Sequence, residues 1–135
     1  MKKILLYLWQ LPQNLVGLLL LAFYKPEYMH VMSNGNRIYY SAAMRGGISL
    51  GKYSIVHIDH YQLNVNDSLE RETVRHEAEG HAQQSRLLGW LYLPVIGLPG
   101  VIWAGLYGWL IPPSKNGYYK FYTERWADRL AGIKR

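Results

Sequence analysis

Cysteine is absent from this chain of 135 residues. The chain can therefore form no disulfide, no thiolate metal site and no cysteine nucleophile, so any metal must be held by histidine, aspartate or glutamate.

Charged residues are also scarce, at 18%, against roughly 25% in an ordinary soluble domain. Half of the residues are hydrophobic, and this composition excludes a disordered chain and a coiled coil. The length fits a single domain over residues 1–135.

Acidic residues are the rarer of the two charge types, with 9 Asp and Glu against 15 Lys and Arg, for a net charge of +6. This charge suits an anionic membrane surface or nucleic acid. The basic segment 118–135 contains aromatic residues, which can stack on single-stranded nucleic acid. Their spacing is helical, however, as in a core or a membrane face, and no nucleic-acid motif accompanies them. We therefore expect membrane lipid as a partner, and no nucleic acid.

Charge is missing altogether from residues 87–111. About 20 apolar residues suffice to span a bilayer, so this run is long enough. It is interrupted by Pro94, Gly97, Pro99 and Gly100, which disfavour a straight helix. The pattern predicts two short helices joined by a bend, forming a re-entrant or interfacial hairpin.

A second apolar segment, residues 4–24, follows Lys2 and Lys3 and resembles the start of a signal peptide. Polar residues at 10, 13 and 14 interrupt it, and no small-x-small cleavage site follows Leu21. We expect an uncleaved anchor or an interfacial segment, with a buried helix of a soluble core as the alternative. Tyrosine and tryptophan at the ends of both apolar runs favour the membrane interface.

The remaining sequence predicts an α+β fold. Residues 36–58 are rich in β-branched and aromatic residues with glycine between them, which indicates two or three short strands, one of them around residues 48–58. Asp67 and Glu70 resemble a capping box and predict a helix from about Ser68 to Leu88. A final amphipathic helix is predicted over residues 118–133.

The chemistry is concentrated in His76-Glu77-Ala78-Glu79-Gly80-His81. A zinc peptidase helix needs two imidazoles on one face and a carboxylate beside the first. The usual spacing of the histidines is four residues, whereas here it is five, which separates them by about 140° on a regular α-helix. A π-bulge would return both rings to one face, and Gly80 suits that distortion. The alternative is two unrelated surface histidines.

Glu124 and Asp128 lie one turn apart on the predicted final helix. A two-histidine zinc site needs a third protein ligand, and a ligating imidazole needs its other N–H oriented, usually by a carboxylate. Glu124 and Asp128 have the residue types for these two tasks. The alternative is an exposed helix with solvated charges, since arginines lie nearby.

HEAEGH followed by ExxxD resembles the motif pair of the gluzincin zinc metallopeptidases, and the HExxGH form is similar to that of dipeptidyl peptidase III. Most of the chain also resembles a family of small, uncharacterised bacterial membrane-associated proteins. The resembling stretches are LWQLPQNLVGLLLL, MRGGISLGKY, GHAQQSRLLGWLYLPVIGLP and FYTERWADRLAG. That family has the shorter HExGH form, so the additional residue is a departure. On a regular helix, Glu77 and His81 would be the pair four residues apart, and His76 would not be a ligand.

The resemblance implies a zincin-like fold, in which an active-site helix and a third-ligand helix lie beside a small β-sheet. It also implies Zn²⁺ as the cofactor, bound by His76, His81 and Glu124. Glu77 would be the catalytic general base and Asp128 would orient a histidine. A peptide or protein would be the substrate, and the strand near residues 48–58 could hold it by edge pairing.

The order of the motifs bears on topology, because the histidines precede residues 87–111 and Glu124 follows them. A single crossing of the membrane would place the ligands on opposite sides. The alternatives are a hairpin, a run buried in protein, or ligands within the membrane, where the neighbouring charges would be costly. We favour the hairpin. Basic residues flank both apolar runs, which suits the cytoplasmic side of the inner membrane.

These observations predict a membrane-associated zinc metallopeptidase. Such an enzyme needs a donor that stabilises the oxyanion formed at the scissile carbonyl. The sequence offers several candidates: Tyr118, Tyr119, Tyr122, Arg125, His57 and His60. Otherwise, His57, Asp59 and His60 are expected at the surface, at the end of a strand. The alternative function is a non-catalytic membrane-bound module with a vestigial or structural zinc site. Glu79 or His60 as a fourth ligand would mark that case.

Overall fold

The structure, a computed structural model, describes residues 1–32, 35–58, 68–110 and 115–135. It has an α+β fold in which helices surround a small mixed sheet. The predicted α+β class is therefore confirmed. The predicted turn at residues 64–67 and the residues Asp59 and His60 lie outside the described ranges.

The N-terminal segment forms two helices, α1 (Lys2–Trp9) and α2 (Leu11–Tyr24), bent by 80°. The polar residues that interrupt its apolar sequence point into the protein. Gln10 donates to Ser85 Oγ at 2.7 Å, and Gln13 donates to the Gly89 carbonyl at 2.8 Å. These buried amides fix both helices against the rest of the chain, while many of the leucines on the same helices are exposed.

The sheet has four strands: β1 (Tyr28–Val31), β2 (Arg37–Ser41), β3 (Gly47–Leu50) and β4 (Tyr53–His57). Their spatial order is β1-β2-β4-β3. Strands β2 and β4 are parallel, and the other two pairs are antiparallel. The extended segment predicted at 48–58 is in fact a hairpin, because Gly51 adopts a φ of 64° and turns the chain. As a result β3 is an edge strand.

Residues 68–88 form a continuous helical segment, named here the site helix: α3 (Ser68–Arg75), a first π segment (His76–His81) and α4 (Ala82–Leu88). Both its bounds and its π-helical distortion agree with the prediction. It packs on the sheet, where Ala78 joins Ile38, Tyr40 and Val56 in a buried cluster.

The long apolar run breaks at Gly89, where the backbone has a φ of 54° and a 3-10 turn, Gly89–Leu91, follows. A second π segment (Leu93–Gly97) then leads into α5 (Leu98–Leu110), so helix continues through Pro94–Gly100. Pro94 lies in the first turn of that helix, where its missing amide costs little. The bend predicted at Pro94–Gly100 is therefore wrong. The run changes conformation at Gly89, where a Cβ would lie 2.1 Å from the Trp9 indole.

The C-terminal segment forms a single turn, α6 (Lys115–Tyr118), and then α7 (Tyr122–Ala131), which begins four residues later than the predicted helix. Gly132, with a φ of 68°, ends α7. Helix α7 packs so closely on the first π segment that a Cβ at Gly80 would lie only 2.5 Å from the Ala127 carbonyl oxygen. Gly80 therefore permits close approach of the two helices that carry the predicted site.

Among the described residues, no single helix is both long enough and apolar enough to cross a bilayer. Helices α1 and α2 reach that length and hydropathy only as a bent pair.

Candidate metal centre

The first π segment places His76 and His81 on the same side of the site helix. Their ring centroids lie 4.7 Å apart with the ring planes at 90°, and both side chains are buried. A π turn contains more residues than an α turn, and this brings residues five apart into alignment. The histidines are therefore a buried pair and not independent surface residues.

Glu124 of α7 lies between the two imidazoles. Its Oε2 atom is 2.9 Å from His76 Nε2 and 3.4 Å from His81 Nε2. Glu124 is itself buried. Glu124, which is 48 and 43 positions from His76 and His81 in the sequence, therefore meets both histidines at one point.

The other nitrogen of each ring faces a different acceptor. His76 Nδ1 lies 2.8 Å from Asp128 Oδ1, and His81 Nδ1 lies 2.7 Å from Gln84 Oε1. Because the Gln84 amide nitrogen donates to the Thr123 carbonyl at 2.8 Å, its oxygen must face the histidine. Both Nδ1 atoms therefore carry the hydrogen, which leaves both Nε2 atoms directed at Glu124.

This donor set fits a metal cation such as zinc. With Nδ1 protonated on both rings, two Nε2 lone pairs and a carboxylate oxygen converge, and only a proton or a cation can satisfy them. Two imidazoles with a carboxylate form a recognised zinc ligand set. His76, Glu77 and His81 also form a buried group whose ligand atoms lie within 4.8 Å of one another. The site can hold a metal ion.

The electrostatics of the protein residues agree with this arrangement. Burial by itself would lower the pKa of His76, but hydrogen bonds to Asp128 and Glu124 outweigh it and raise that pKa to about 9. Burial would raise the pKa of Glu124, yet hydrogen bonds from His76 and His81 hold it well below its usual value. The site thus keeps Glu124 ionised and attracts positive charge between the rings.

Asp128 is held from its other side by Arg135, whose Nε donates to Asp128 Oδ2 at 2.9 Å. Although burial would raise the pKa of Asp128, its hydrogen bonds from His76 and Arg135 lower it. Asp128 is therefore an anion that is hydrogen-bonded to both His76 and Arg135. Arg135, the final residue of the sequence, gave no sequence signal of this contact.

Glu77 lies beside this centre but points toward the sheet. Its Oε2 accepts a hydrogen bond from Ser49 Oγ of β3 at 2.8 Å, and Ser54 Oγ lies 2.8 Å from the same hydroxyl. A Cβ at Gly47 would lie 2.6 Å from Glu77 Oε1, so glycine leaves room for the carboxylate. The edge strand thereby positions Glu77, which is buried next to His76.

The structure places the other predicted residues in different surroundings. Tyr118 and Tyr119 line the same cavity as the histidines, and the Tyr119 ring lies 5.4 Å from His76. Tyr122 donates to the Val95 carbonyl, and Arg125 is exposed. Glu79 is half-exposed and forms an ion pair with Arg75 at 3.2 Å. Its carboxylate therefore does not face the histidines and is not placed as a fourth ligand. His57 ends β4 and is partly buried.

A cavity of about 780 Å³ adjoins the centre. Its lining includes His76, Glu77, His81 and Glu124, together with residues of β3, of α2, of the second π segment and of α5. A site for a metal, a buried carboxylate and a strand edge thus share one cavity. That combination suits the binding and chemical conversion of an extended ligand.

Besides Arg135, the sequence did not indicate the contributing residues Gln84 and Ser49. Gln84 follows His81 at three residues, which is a helical spacing, but glutamine is common on helices and gave no distinctive signal. Ser49 is distant in sequence from Glu77, and only the packing of β3 on the site helix brings them together.

Comparison with known proteins gives no family assignment: no family model, no curated protein and no solved structure matches the chain.

Proposed function

We propose that the chain is a membrane-associated, zinc-dependent metallopeptidase with a zincin-like fold. The observation that carries this proposal is the convergence of His76 Nε2 and His81 Nε2 on one oxygen of Glu124, at 2.9 and 3.4 Å. These three residues would hold the metal. Glu77, fixed by Ser49 at the edge of the sheet, remains available as the general base.

In peptide hydrolysis, each residue of the proposed site would have a defined task. Bound zinc supplies a Lewis acid that polarises the scissile carbonyl and lowers the pKa of water. Glu77 accepts a proton from the attacking water as the water oxygen bonds to the carbonyl carbon. The carbon–nitrogen bond then breaks, and Glu77 delivers the proton to the leaving amine. Asp128 and Gln84 keep the imidazoles in the tautomer that presents Nε2.

The edge strand β3 supports the choice of a peptide as the substrate. An extended peptide can add to a free strand edge through backbone hydrogen bonds. Strand β3 borders the cavity and also carries Ser49, which contacts the proposed base. Tyr118 and Tyr119 are the candidates for an oxyanion donor because they line the same cavity.

The exposed faces of α1, α2 and α5 support membrane association. Large apolar side chains are exposed along them, including Leu5, Leu19, Phe23, Val101 and Ile102. An exposed apolar surface of this kind is rare on soluble monomers and typical of membrane or protein contact. Basic residues at both ends of the apolar segments favour an anionic, cytoplasmic membrane face.

Metal content and peptide hydrolysis test the proposal. We expect one zinc per chain by elemental analysis, lost in His81→Ala and Glu124→Ala, since each variant removes a ligand. Glu77→Gln should retain the metal and lose hydrolysis of a mixed peptide library by a factor of about 10² or more. Glu79→Gln is the matched control, because Glu79 lies on the same helix, faces Arg75 and should keep both properties.

The outcomes separate catalysis from a structural role. Zinc in the wild type without any hydrolysis would favour the non-catalytic module with a structural metal. Absence of zinc, or retention of zinc in Glu124→Ala, would contradict the proposed ligand set.

A further inference from the structure

The cavity next to the candidate metal centre is lined mainly by apolar side chains. This apolar lining includes Val16 and Leu20 of α2, Ile48 of β3, Ile96 of the second π segment and Val101 of α5. Its volume of about 780 Å³ falls in the usual range for ligand sites, about 300–1,000 Å³. Because Leu98 and Val101 both line the cavity and are exposed, it reaches the apolar outer surface of α5.

We propose that this cavity binds a hydrophobic stretch of polypeptide, with its backbone along β3 and its apolar side chains between α2 and α5. The inference rests on the proposed function for the reaction that follows binding, but binding itself requires no hydrolysis. It names the substrate class: an apolar, extended segment such as one delivered from the lipid phase.

The backbone of β3 provides the means to hold such a segment. The His57 N–H donates to the Gly46 carbonyl at 3.2 Å, which fixes the alternation of the antiparallel β3–β4 ladder. In that alternation the peptide groups of Gly47 and Ser49 point to the outer edge. Tyr92, which lines the cavity, donates to the Ser49 carbonyl at 2.7 Å, so this outer edge faces the cavity. Gly47 can therefore pair with an extended chain.

Charge in the cavity favours a neutral peptide over an anionic lipid. Among the described residues that line it, none is lysine or arginine, while Glu77 and Glu124 are both present. These two carboxylates would offset the charge of a bound divalent cation. A carboxylate or phosphate headgroup would therefore gain no net electrostatic attraction, whereas an uncharged peptide carries no such cost.

Small residues on the wall of the cavity keep it open. Gly97, Gly100 and Ala104 line it at helical spacing. A Cβ at Gly100 would lie 3.8 Å from Thr123 Oγ1 and 4.0 Å from Glu124 Oε1, which is ordinary contact. A larger side chain there would extend into the cavity beside the metal centre. Gly105 of the same helix has nothing within 4 Å of its Cβ position, and provides a matched control.

The test measures binding of two fluorescent peptides to the full chain in lipid nanodiscs, in a Glu77→Gln background so that the peptides stay intact. One peptide contains a central stretch of leucine, valine and alanine, and the other has serine and glutamine in their place. We expect saturable binding of the apolar peptide only. Gly100→Leu should weaken it by about tenfold or more, since a misfit of one methylene group in an apolar pocket costs about 10- to 200-fold. Gly105→Leu should bind as the parent does.

Ala104→Leu, farther along the same wall, is the second blocking variant and should also weaken binding, while zinc content is measured for every variant. Equal binding of both peptides, or full binding by Gly100→Leu and Ala104→Leu, would overturn the inference. Displacement of the apolar peptide by a fatty acid at equal concentration would overturn it too. Hydrolysis of polar peptides without apolar binding would refute this inference alone. Apolar binding that is blocked by these variants in a chain without zinc or hydrolysis would refute only the proposed function.

Discussion

At the scale of single residues, the site depends on the residues that orient the two histidines. Asp128 and Gln84 each accept a hydrogen bond from an Nδ1 atom, at 2.8 and 2.7 Å. This leaves each Nε2 facing Glu124, so the orientation of each ring is fixed before any metal binds. The acceptor for His81, Gln84, is neutral, whereas the acceptor for His76, Asp128, is an anion that is hydrogen-bonded to Arg135. The two histidines therefore differ in basicity as ligands.

Gln84→Leu should lower zinc affinity by about 10- to 100-fold, the usual effect of removing a group that orients a metal-ligating histidine. The physical reason is that His81 loses the acceptor for its Nδ1 hydrogen. Competition with a chromophoric chelator measures the affinity. Gln83→Leu, at an exposed neighbouring position, should leave it unchanged, and equal affinities in the two variants would contradict the assigned role of Gln84.

At the scale of elements, the π segment and its contact with α7 create the site. The inserted residue brings His76 and His81 together, and Gly80 lets α7 approach until Glu124 reaches both rings. The helix pair thus acts as a unit, and a change in either the register or the spacing of the pair should remove the metal.

Deletion of Glu79 should convert the π segment to regular α-helix and preserve the site. The shortened motif places the histidines four residues apart, on one face of an α-helix, and the flanking helix keeps its register because a π-bulge is a single inserted residue. We expect zinc content to be retained. Deletion of Gln83 from regular α4 is the control, because it should rotate the following residues by about 100° and reduce folding yield. Loss of zinc in the Glu79 deletion alone would refute the explanation.

Gly80→Ala should destabilise the protein and reduce its zinc content. The new methyl group would overlap the Ala127 carbonyl oxygen, and such overpacking typically costs about 1–3 kcal/mol. Thermal unfolding and elemental analysis measure the two effects. Gly105→Ala introduces the same methyl group into α5, where it meets nothing within 4 Å, and should be neutral or slightly stabilising. An unchanged midpoint in Gly80→Ala would show that the helices can separate without cost.

At the scale of the whole molecule, the first two helices bury polar side chains and expose apolar ones. Gln10, Gln13 and Asn14 are buried in hydrogen bonds to the interior, while Leu19 and Phe23 on the same helix pair are 71% and 76% exposed. In a soluble core helix the polar face would be the exposed one. The inversion on α1 and α2 is the physical basis for the proposed membrane association.

Leu19→Glu should shift the chain from the membrane fraction toward the soluble fraction. A carboxylate in an apolar lipid environment costs several kcal/mol if deeply inserted, and less near the interface. Flotation with liposomes of stated anionic lipid content measures the partition. Gln83→Glu adds the same charge without removing apolar surface and should float like the wild type. If the wild type itself remains with the soluble fraction, the apolar surface has another role.

Much of the site could be predicted from sequence because its determinants are local. The five-residue spacing of His76 and His81 requires a π turn if both are to share a face, and the spacing of Glu124 and Asp128 puts both on one face of α7. The α+β class and the bounds of the site helix follow from periodicity and from capping residues in the same way. The zincin-like fold, the identity of the metal and the peptidase activity stay predictions.

Only the tertiary structure decided the features that depend on contacts between distant segments. Gly89 ends the site helix with a positive φ, and a Cβ there would meet the Trp9 indole, a contact between segments 80 residues apart that no local pattern contains. The same holds for the edge position of β3, for Ser49 on Glu77 and for the cavity between α2 and α5. By itself, the sequence determined which residues share a helix face, because backbone periodicity is local. Packing determined which faces meet, since it depends on the shape of the whole chain.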